Sequence, residues 1–185
     1  SDLLDSGAIF IGTMTKAIAL GCIYAVVAFG FVIVFKATQV LNFAHGGIAV
    51  AGALFLSIMV NDDGFPFVPF DNPLVGDSPP GLLVWLVLLA FAMFLTSLLA
   101  MFLERVAIRP MVGQPLFSLA IITLGLEIAI SAFNRDAVNS PNARALNIPW
   151  GTDFWVIGGA NVNHSYLAAV IAAAFAFAVV FFFYR

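Results

Sequence analysis

From Leu82 to Leu103 the chain runs for 22 residues without a charged side chain. At about 1.5 Å of helix rise per residue, that is enough to cross the roughly 30 Å hydrocarbon core of a bilayer. Four more apolar runs lie at about 17–35, 44–60, 116–134 and 165–184. They are continuous rather than alternating, so they do not encode the strands of a transmembrane barrel. With 63% hydrophobic and 9% charged residues, the chain has too little polar surface for a soluble fold. The expected fold class is an all-α integral membrane protein. A single transmembrane domain over 1–185 is expected to hold about five transmembrane helices, with a discontinuous or kinked second helix and a small external hairpin.

The few charges orient the bundle. Lys36, Arg105, Arg109 and Arg185 fall on one side with a single acid, Glu104, whereas Asp2, Asp5, Asp62, Asp63, Asp71, Asp77, Asp136 and Asp153 outweigh Arg135 and Arg144 on the other. By the positive-inside rule the first side is cytoplasmic. This puts the N-terminus and both long connectors outside, and Glu104, Arg105 and Arg109 at a cytoplasmic contact. The first residues carry no basic start and no small-residue cleavage site, so no signal peptide is expected. One cysteine, Cys22, permits no intrachain disulfide.

The connectors have their own character. Asn61–Gly81 is acidic and rich in proline, an external loop rather than a span. In the later connector, Phe154-Trp-Val-Ile-Gly-Gly-Ala-Asn-Val predicts a short hairpin turning at Gly158-Gly159, with Trp150 and Trp155 suited to the interface. Asn163-His164-Ser165 matches the glycosylation pattern, a three-residue match with no weight of its own.

Two apolar segments carry polarity that lipid would penalise. Val40 to Gly52 places Asn42, His45, Gly46 and Gly47 at the mouth of the second span. Each helical glycine is unfavourable by roughly 1 kcal/mol relative to alanine, and polar side chains at membrane depth need a partner or a wet cavity. Broken helices of transporters have this composition, because bare backbone at a helix start can hold a polar solute. A packed helix with Asn42 as its cap accounts for the same residues. On the fourth span Thr123, Glu127, Ser131 and Asn134 follow at intervals of four, four and three, forming one polar stripe. The stripe either faces a solute pathway or is satisfied between packed helices. Counted from the cytoplasmic ends, Tyr24 is level with Glu127, each about 16 Å up its helix, which makes Tyr24 a candidate hydrogen-bond donor. Ala17, Gly21 and Ala25 on the first span, and Ala49, Ala53 and Ser57 on the second, recur at four-residue spacing and predict faces for close helix packing.

Two stretches together carry a family resemblance. Leu41-Asn-Phe-Ala-His-Gly46, following Gly-Cys-Ile-Tyr-Ala-Val-Val-Ala-Phe-Gly, and Glu104-Arg-Val-Ala-Ile-Arg-Pro110, leading into Thr123-Leu-Gly-Leu126, resemble the permease subunits of branched-chain amino-acid ABC importers. Urea and amide importers use similar permeases. The resemblance implies a multi-pass subunit of the bacterial inner membrane. Its partners would be a second permease subunit, two ATPase subunits and a periplasmic solute-binding protein. It would use no cofactor of its own, ATP-Mg being used by the partners, and it implies no nucleic acid. Family members are longer, so the chain is expected to be the N-terminal part of such a permease. Relatives generally carry an uncharged residue at the position of Glu127.

Motifs for chemistry are missing from the sequence. No Gly-x-x-x-x-Gly-Lys-Ser/Thr loop for nucleotide phosphates occurs, no Gly-x-Ser-x-Gly element, and no Cys/His cluster around His45 or His164 that would bind metal. The chain is therefore expected to be a transport subunit, not an enzyme. Two other classes are compatible with the residues: a channel-like protein conducting a neutral solute alone, which liposome swelling would reveal, and a structural membrane subunit, which would respond to no transport assay.

Overall fold

The computed structural model describes residues 2–39, 41–61, 80–111, 113–138, 146–149, 153–157 and 159–185. The acidic loop, Arg144, Trp150 and Gly158 lie outside them. The elements are α1 (Asp2–Thr38), α2 (His45–Val60), α3 (Leu82–Leu103), α4 (Leu116–Val138), β1 (Phe154–Ile157), β2 (Ala160–Asn163) and α5 (His164–Tyr184). Among the described residues, four helical stretches are long and apolar enough to cross a membrane: Gly7–Lys36, Leu82–Met111, Leu116–Asp136 and His164–Phe182. The protein is an all-α, multi-pass membrane protein. Among the described residues more large apolar side chains are exposed than buried, with Leu83 76% and Phe117 77% exposed, a surface that lipid or partner helices must cover.

The chain divides into two compact units, Ser1–Ile33 with Trp150–Arg185, and Val34–Pro149. In the first unit the hairpin expected from sequence is present. β1 and β2 pair antiparallel, with Phe154 opposite Asn163 and Ile157 opposite Ala160. Gly159 in the turn has φ +83°, a left-handed conformation that glycine adopts without strain. Asn163 then starts α5, its side-chain oxygen accepting the Ser165 N–H at 2.8 Å. The residue that matched a glycosylation pattern is thus a helix cap. α1 begins well before Ala17: the apolar lead-in Ile9–Thr15 belongs to the same helix, and the Thr15 hydroxyl donates back to the carbonyls of Ile11 and Gly12. Phe29 and Phe177 pack with ring centroids 4.8 Å apart.

The second unit holds α2, α3 and α4, with α2 in contact with both others. Its buried face is Gly47, Ala51, Leu54 and Ile58, at helical spacing. Of the row Ala49, Ala53 and Ser57 expected to pack, Ser57 is buried, whereas Ala49 and Ala53 are exposed. The larger side chains of Leu54 and Ile58 decide which face turns inward, and Ala49 lies off it. Gly52 makes the close approach instead: a Cβ there would lie 2.8 Å from Oγ1 of Thr96 on α3. On α1 the row Ala17, Gly21 and Ala25 is likewise exposed, and a Cβ at Gly21 would meet nothing within 4 Å. Small residues permit a close neighbour without supplying one.

Hydrogen bonds fix the directions inside this unit. Leu41 is joined to Thr123 and Gly47 to Glu127 and Asn134, so α2 and α4 run parallel. At the far end of α2, Asn147 donates from Nδ2 to Oδ1 of Asn61, and the Trp85 indole donates to the Leu146 carbonyl. α3 therefore starts where α2 finishes and runs back along it. It does not stop at the charged segment; it continues as a π-helical turn, Glu104–Ile108, and a 3-10 turn, Arg109–Met111. Glu104, Arg105 and Arg109 are all exposed there.

Candidate functional site: a helix start closed from another helix

The chain stops being helical after Thr38 and starts again at His45. Gln39 ends α1 in a left-handed conformation, φ 54°, with its N–H on the Phe35 carbonyl at 2.7 Å. The interruption anticipated in the second helix falls ahead of it, and α2 itself is continuous. At 16 residues α2 is about 24 Å long, short of the roughly 30 Å apolar core.

Asn42 organises the turn that precedes α2. Its Oδ1 accepts the Ala44 N–H at 3.1 Å, and its carbonyl accepts the His45 N–H at 3.3 Å. This is an Asx turn rather than a cap. The N-cap position belongs to Ala44, which is fully buried and has no side chain able to accept a hydrogen bond. A buried helix start without a cap leaves N–H groups to be satisfied from elsewhere.

Glu127 on α4 supplies the acceptor. Its Oε2 takes the Gly47 N–H at 2.7 Å, while Oε1 takes the Ser131 hydroxyl at 3.0 Å. Gly47 is the third residue of α2, the position that an N-cap side chain normally serves. An acidic group here also lies at the positive end of the helix dipole. The contact explains the glycine: a Cβ at 47 would stand 2.6 Å from Oε2 of Glu127 and 3.1 Å from Cγ2 of Ile130. At Gly46 the nearest atom would be 3.8 Å away, an ordinary contact.

The rest of the stripe grips the same backbone. Asn134 donates from Nδ2 to the Gly47 carbonyl at 3.1 Å, so both polar groups of Gly47 are held by α4. Thr123, fully buried, donates to the Leu41 carbonyl at 3.2 Å and to Ala120 in its own helix. Oδ1 of Asn134, by contrast, is buried with no hydrogen-bond partner. Glu127 sits about 16 Å along α4 from Leu116, near the midpoint of the membrane-length stretch Leu116–Asp136. The start of α2 is therefore level with the middle of α4, and Leu41–Ala44 is non-helical backbone at that depth, with the Leu41 carbonyl held by Thr123 and Ala44 buried while the Leu41 and Phe43 side chains are exposed. Irregular backbone inside a membrane protein is stable only where its polar groups are held by protein or beside water.

The predicted residues thus sort cleanly. Asn42, Gly46, Gly47, Thr123, Glu127 and Ser131 come together around the start of α2, and half-buried His45 is its first residue. Tyr24 belongs to the other compact unit; within its own unit Glu127 accepts from Gly47 and Ser131. The Gly52–Thr96 approach escaped the sequence, where its only trace was a glycine in one apolar run and a Thr-Ser pair in another.

A family model described as the permease component of branched-chain amino-acid transport systems matches residues 13–185. No curated protein and no solved structure gives a significant match.

Proposed function

We propose, from the premise that the chain belongs to the family of permease components of branched-chain amino-acid transport systems, that it carries such solutes from periplasm to cytoplasm as part of an ABC importer. Membership makes it a membrane-embedded component of a multi-subunit transport system. The finer assignment comprises an inner-membrane location, a second permease subunit, two ATPases that use ATP-Mg, and a periplasmic binding protein that delivers the solute. Its topology is an external N-terminus and cytoplasmic Arg105 and Arg109, which offer an exposed basic contact beside Glu104.

One observation supports a solute pathway along α4 more than any other: a helix begins at mid-span and is closed by a carboxyl group from its neighbour. Helix starts at this depth are where transporters handle small polar solutes, since backbone N–H groups and side chains can be rearranged without exposing them to lipid. Asn42, His45 and Gly46 belong to the inner side of this junction and act as a gate. The contacts of Gly47 with Glu127 and Asn134 are the joint on which the gate turns, a small hydrogen-bonded junction of the sort that can hold two arrangements.

The test is uptake of radiolabelled leucine into proteoliposomes containing the chain with its partner subunits and ATP. Uptake that depends on both supports the proposal. Swelling or solute flux by the chain alone, indifferent to ATP, identifies a channel instead.

A further inference from the structure

β1 is open to its surroundings in two ways at once. Phe154 and Val156 on one face of the hairpin and Trp155 on the other are 55%, 66% and 53% exposed, although all three are apolar. The outer edge of the strand is open as well. The His164 N–H donates to the Asp153 carbonyl at 3.1 Å, and with Phe154 opposite Asn163 this puts the hydrogen-bonded pairs at Asp153–His164, Trp155–Val162 and Ile157–Ala160. The N–H and C=O groups of Phe154 and Val156 therefore point away from β2, and no described residue partners them. Water would satisfy these backbone groups but not the side chains, and hydrocarbon would do the reverse. The strand calls for surroundings that are apolar and wet together.

Depth says where it finds them. The membrane-length part of α5, His164–Phe182, has 19 residues and is about 28 Å long, close to the roughly 30 Å apolar core, so His164 stands at the core boundary. Phe154, opposite Asn163, is at the same boundary, and Val156 is about 7 Å farther along the strand. The headgroup layer on each side of the core is about 5–8 Å thick. The hairpin's turn lies toward the N-terminal end of α1: a Cβ at Gly159 would meet Ala8 at 3.4 Å and one at Gly12 would meet Ala160 at 3.8 Å. α1 has length to spare there, since its stretch Gly7–Lys36 has 30 residues, about 45 Å.

We propose that β1 is an interfacial anchor, with Phe154, Trp155 and Val156 inserted among the lipid headgroups at the end of the bundle where α5 begins. Its partner is an uncharged, zwitterionic lipid surface, because Phe154–Asn163 contains no Lys or Arg to attract anionic headgroups and the exposed residue before it is Asp153. A strand added from a protein partner would pair the Phe154 and Val156 backbone groups but leave apolar side chains on both faces uncovered, whereas a headgroup layer receives both faces and hydrates the edge.

A nitroxide on Val156→Cys, in a Cys22→Ala background of the chain assembled with its partner subunits in phosphatidylcholine nanodiscs, tests the anchor. Its relaxation by oxygen, which concentrates in lipid, and by a water-soluble nickel chelate is compared with that of labels at Phe175→Cys, exposed along α5, and at exposed Asp136→Cys, just past mid-bilayer α4. The oxygen-to-nickel ratio at 156 should lie severalfold above that at 136 and below that at 175, and should be the same when phosphatidylglycerol replaces part of the lipid. Without any label on the strand, phosphatidylcholine brominated high on its acyl chains should quench the parent's tryptophan fluorescence more than that of Trp155→Phe. A ratio at 156 equal to that at 136 puts β1 in water and overturns the anchor. A label shielded from both reagents means that protein covers the strand and overturns it equally, and lipid contact that appears only with phosphatidylglycerol overturns the uncharged surface. Equal quenching of parent and Trp155→Phe also contradicts the insertion.

Discussion

Glu127 and Gly47 are 80 residues apart in sequence and 2.7 Å apart in space, the carboxyl of one accepting the backbone N–H of the other. Through this bond a residue halfway along one membrane-length helix closes the start of a shorter one. Ala44 at the N-cap can offer nothing in its place. The bond therefore ties the depth at which α2 begins to the position of α4.

The two adjacent glycines should respond differently to alanine. At position 47 the new Cβ would meet Oε2 of Glu127 at 2.6 Å and Ile130 at 3.1 Å, so the carboxyl must leave its place. Overpacking of this kind lowers stability by about 1–3 kcal/mol. Gly46→Ala meets nothing closer than 3.8 Å and gains up to about 1 kcal/mol of helix propensity. Thermal denaturation in detergent should rank Gly47→Ala well below Gly46→Ala. Equal midpoints would mean that Glu127 does not press on Gly47.

The α2–α3 contact can be tested as a pair. Gly52→Ala puts a Cβ 2.8 Å from Oγ1 and 3.3 Å from Cγ2 of Thr96, and Thr96→Ala removes both atoms, leaving the Thr96 Cβ at 3.6 Å. The single Gly52→Ala change should destabilise by about 1–3 kcal/mol, and Thr96→Ala should restore most of it. A double-mutant cycle with no coupling above about 0.5 kcal/mol would place the two helices farther apart than described.

Much of this architecture was legible beforehand, and the missing parts share a physical cause. The long helices followed from apolar runs, the hairpin from its Gly-Gly turn, and the clustering of Thr123, Glu127, Ser131 and Asn134 from helical spacing alone. The partner of the stripe was not legible, because Glu127 and Asn134 bind backbone atoms of Gly47, and a backbone group leaves no mark in residue identity. Asn42 read as a cap because capping and Asx turns use the same side chain. Of the α2 row Ala49, Ala53 and Ser57 only Ser57 turns inward, with Gly47 and Ala51 on the buried face instead, because a helix apolar on all sides gives hydrophobic periodicity no contrast to work with. The charged segment after α3 read as a link, although its residues extend the helix through a π-helical turn.

The cap on α5 gives a local prediction. Asn163→Ala removes the acceptor of the Ser165 N–H and should lower stability by about 1 kcal/mol, while Asn163→Asp keeps an acceptor and should stay near the parent. Unchanged denaturation of the alanine variant would mean that the cap contributes nothing at the membrane surface.

Topology has its own check. With every α-helix running as proposed, single cysteines introduced at Asp71 and Arg109 should react with an impermeant thiol reagent from opposite sides of sealed membranes, Asp71 from outside. Labelling of both from one side would reverse or redraw the spans.

The central claim is that transport passes through the junction closed by Glu127, and ATP-dependent leucine uptake by Glu127→Leu and Glu127→Gln variants, normalised to membrane abundance, tests it most directly. Gln keeps an acceptor for the Gly47 N–H, whereas Leu leaves that group unpaired at mid-span, a loss of about 1–3 kcal/mol at the junction. The account predicts uptake reduced about tenfold or more for Glu127→Leu at abundance within about twofold of the parent, with Glu127→Gln falling between. Normal uptake by a well-expressed Glu127→Leu variant would contradict it.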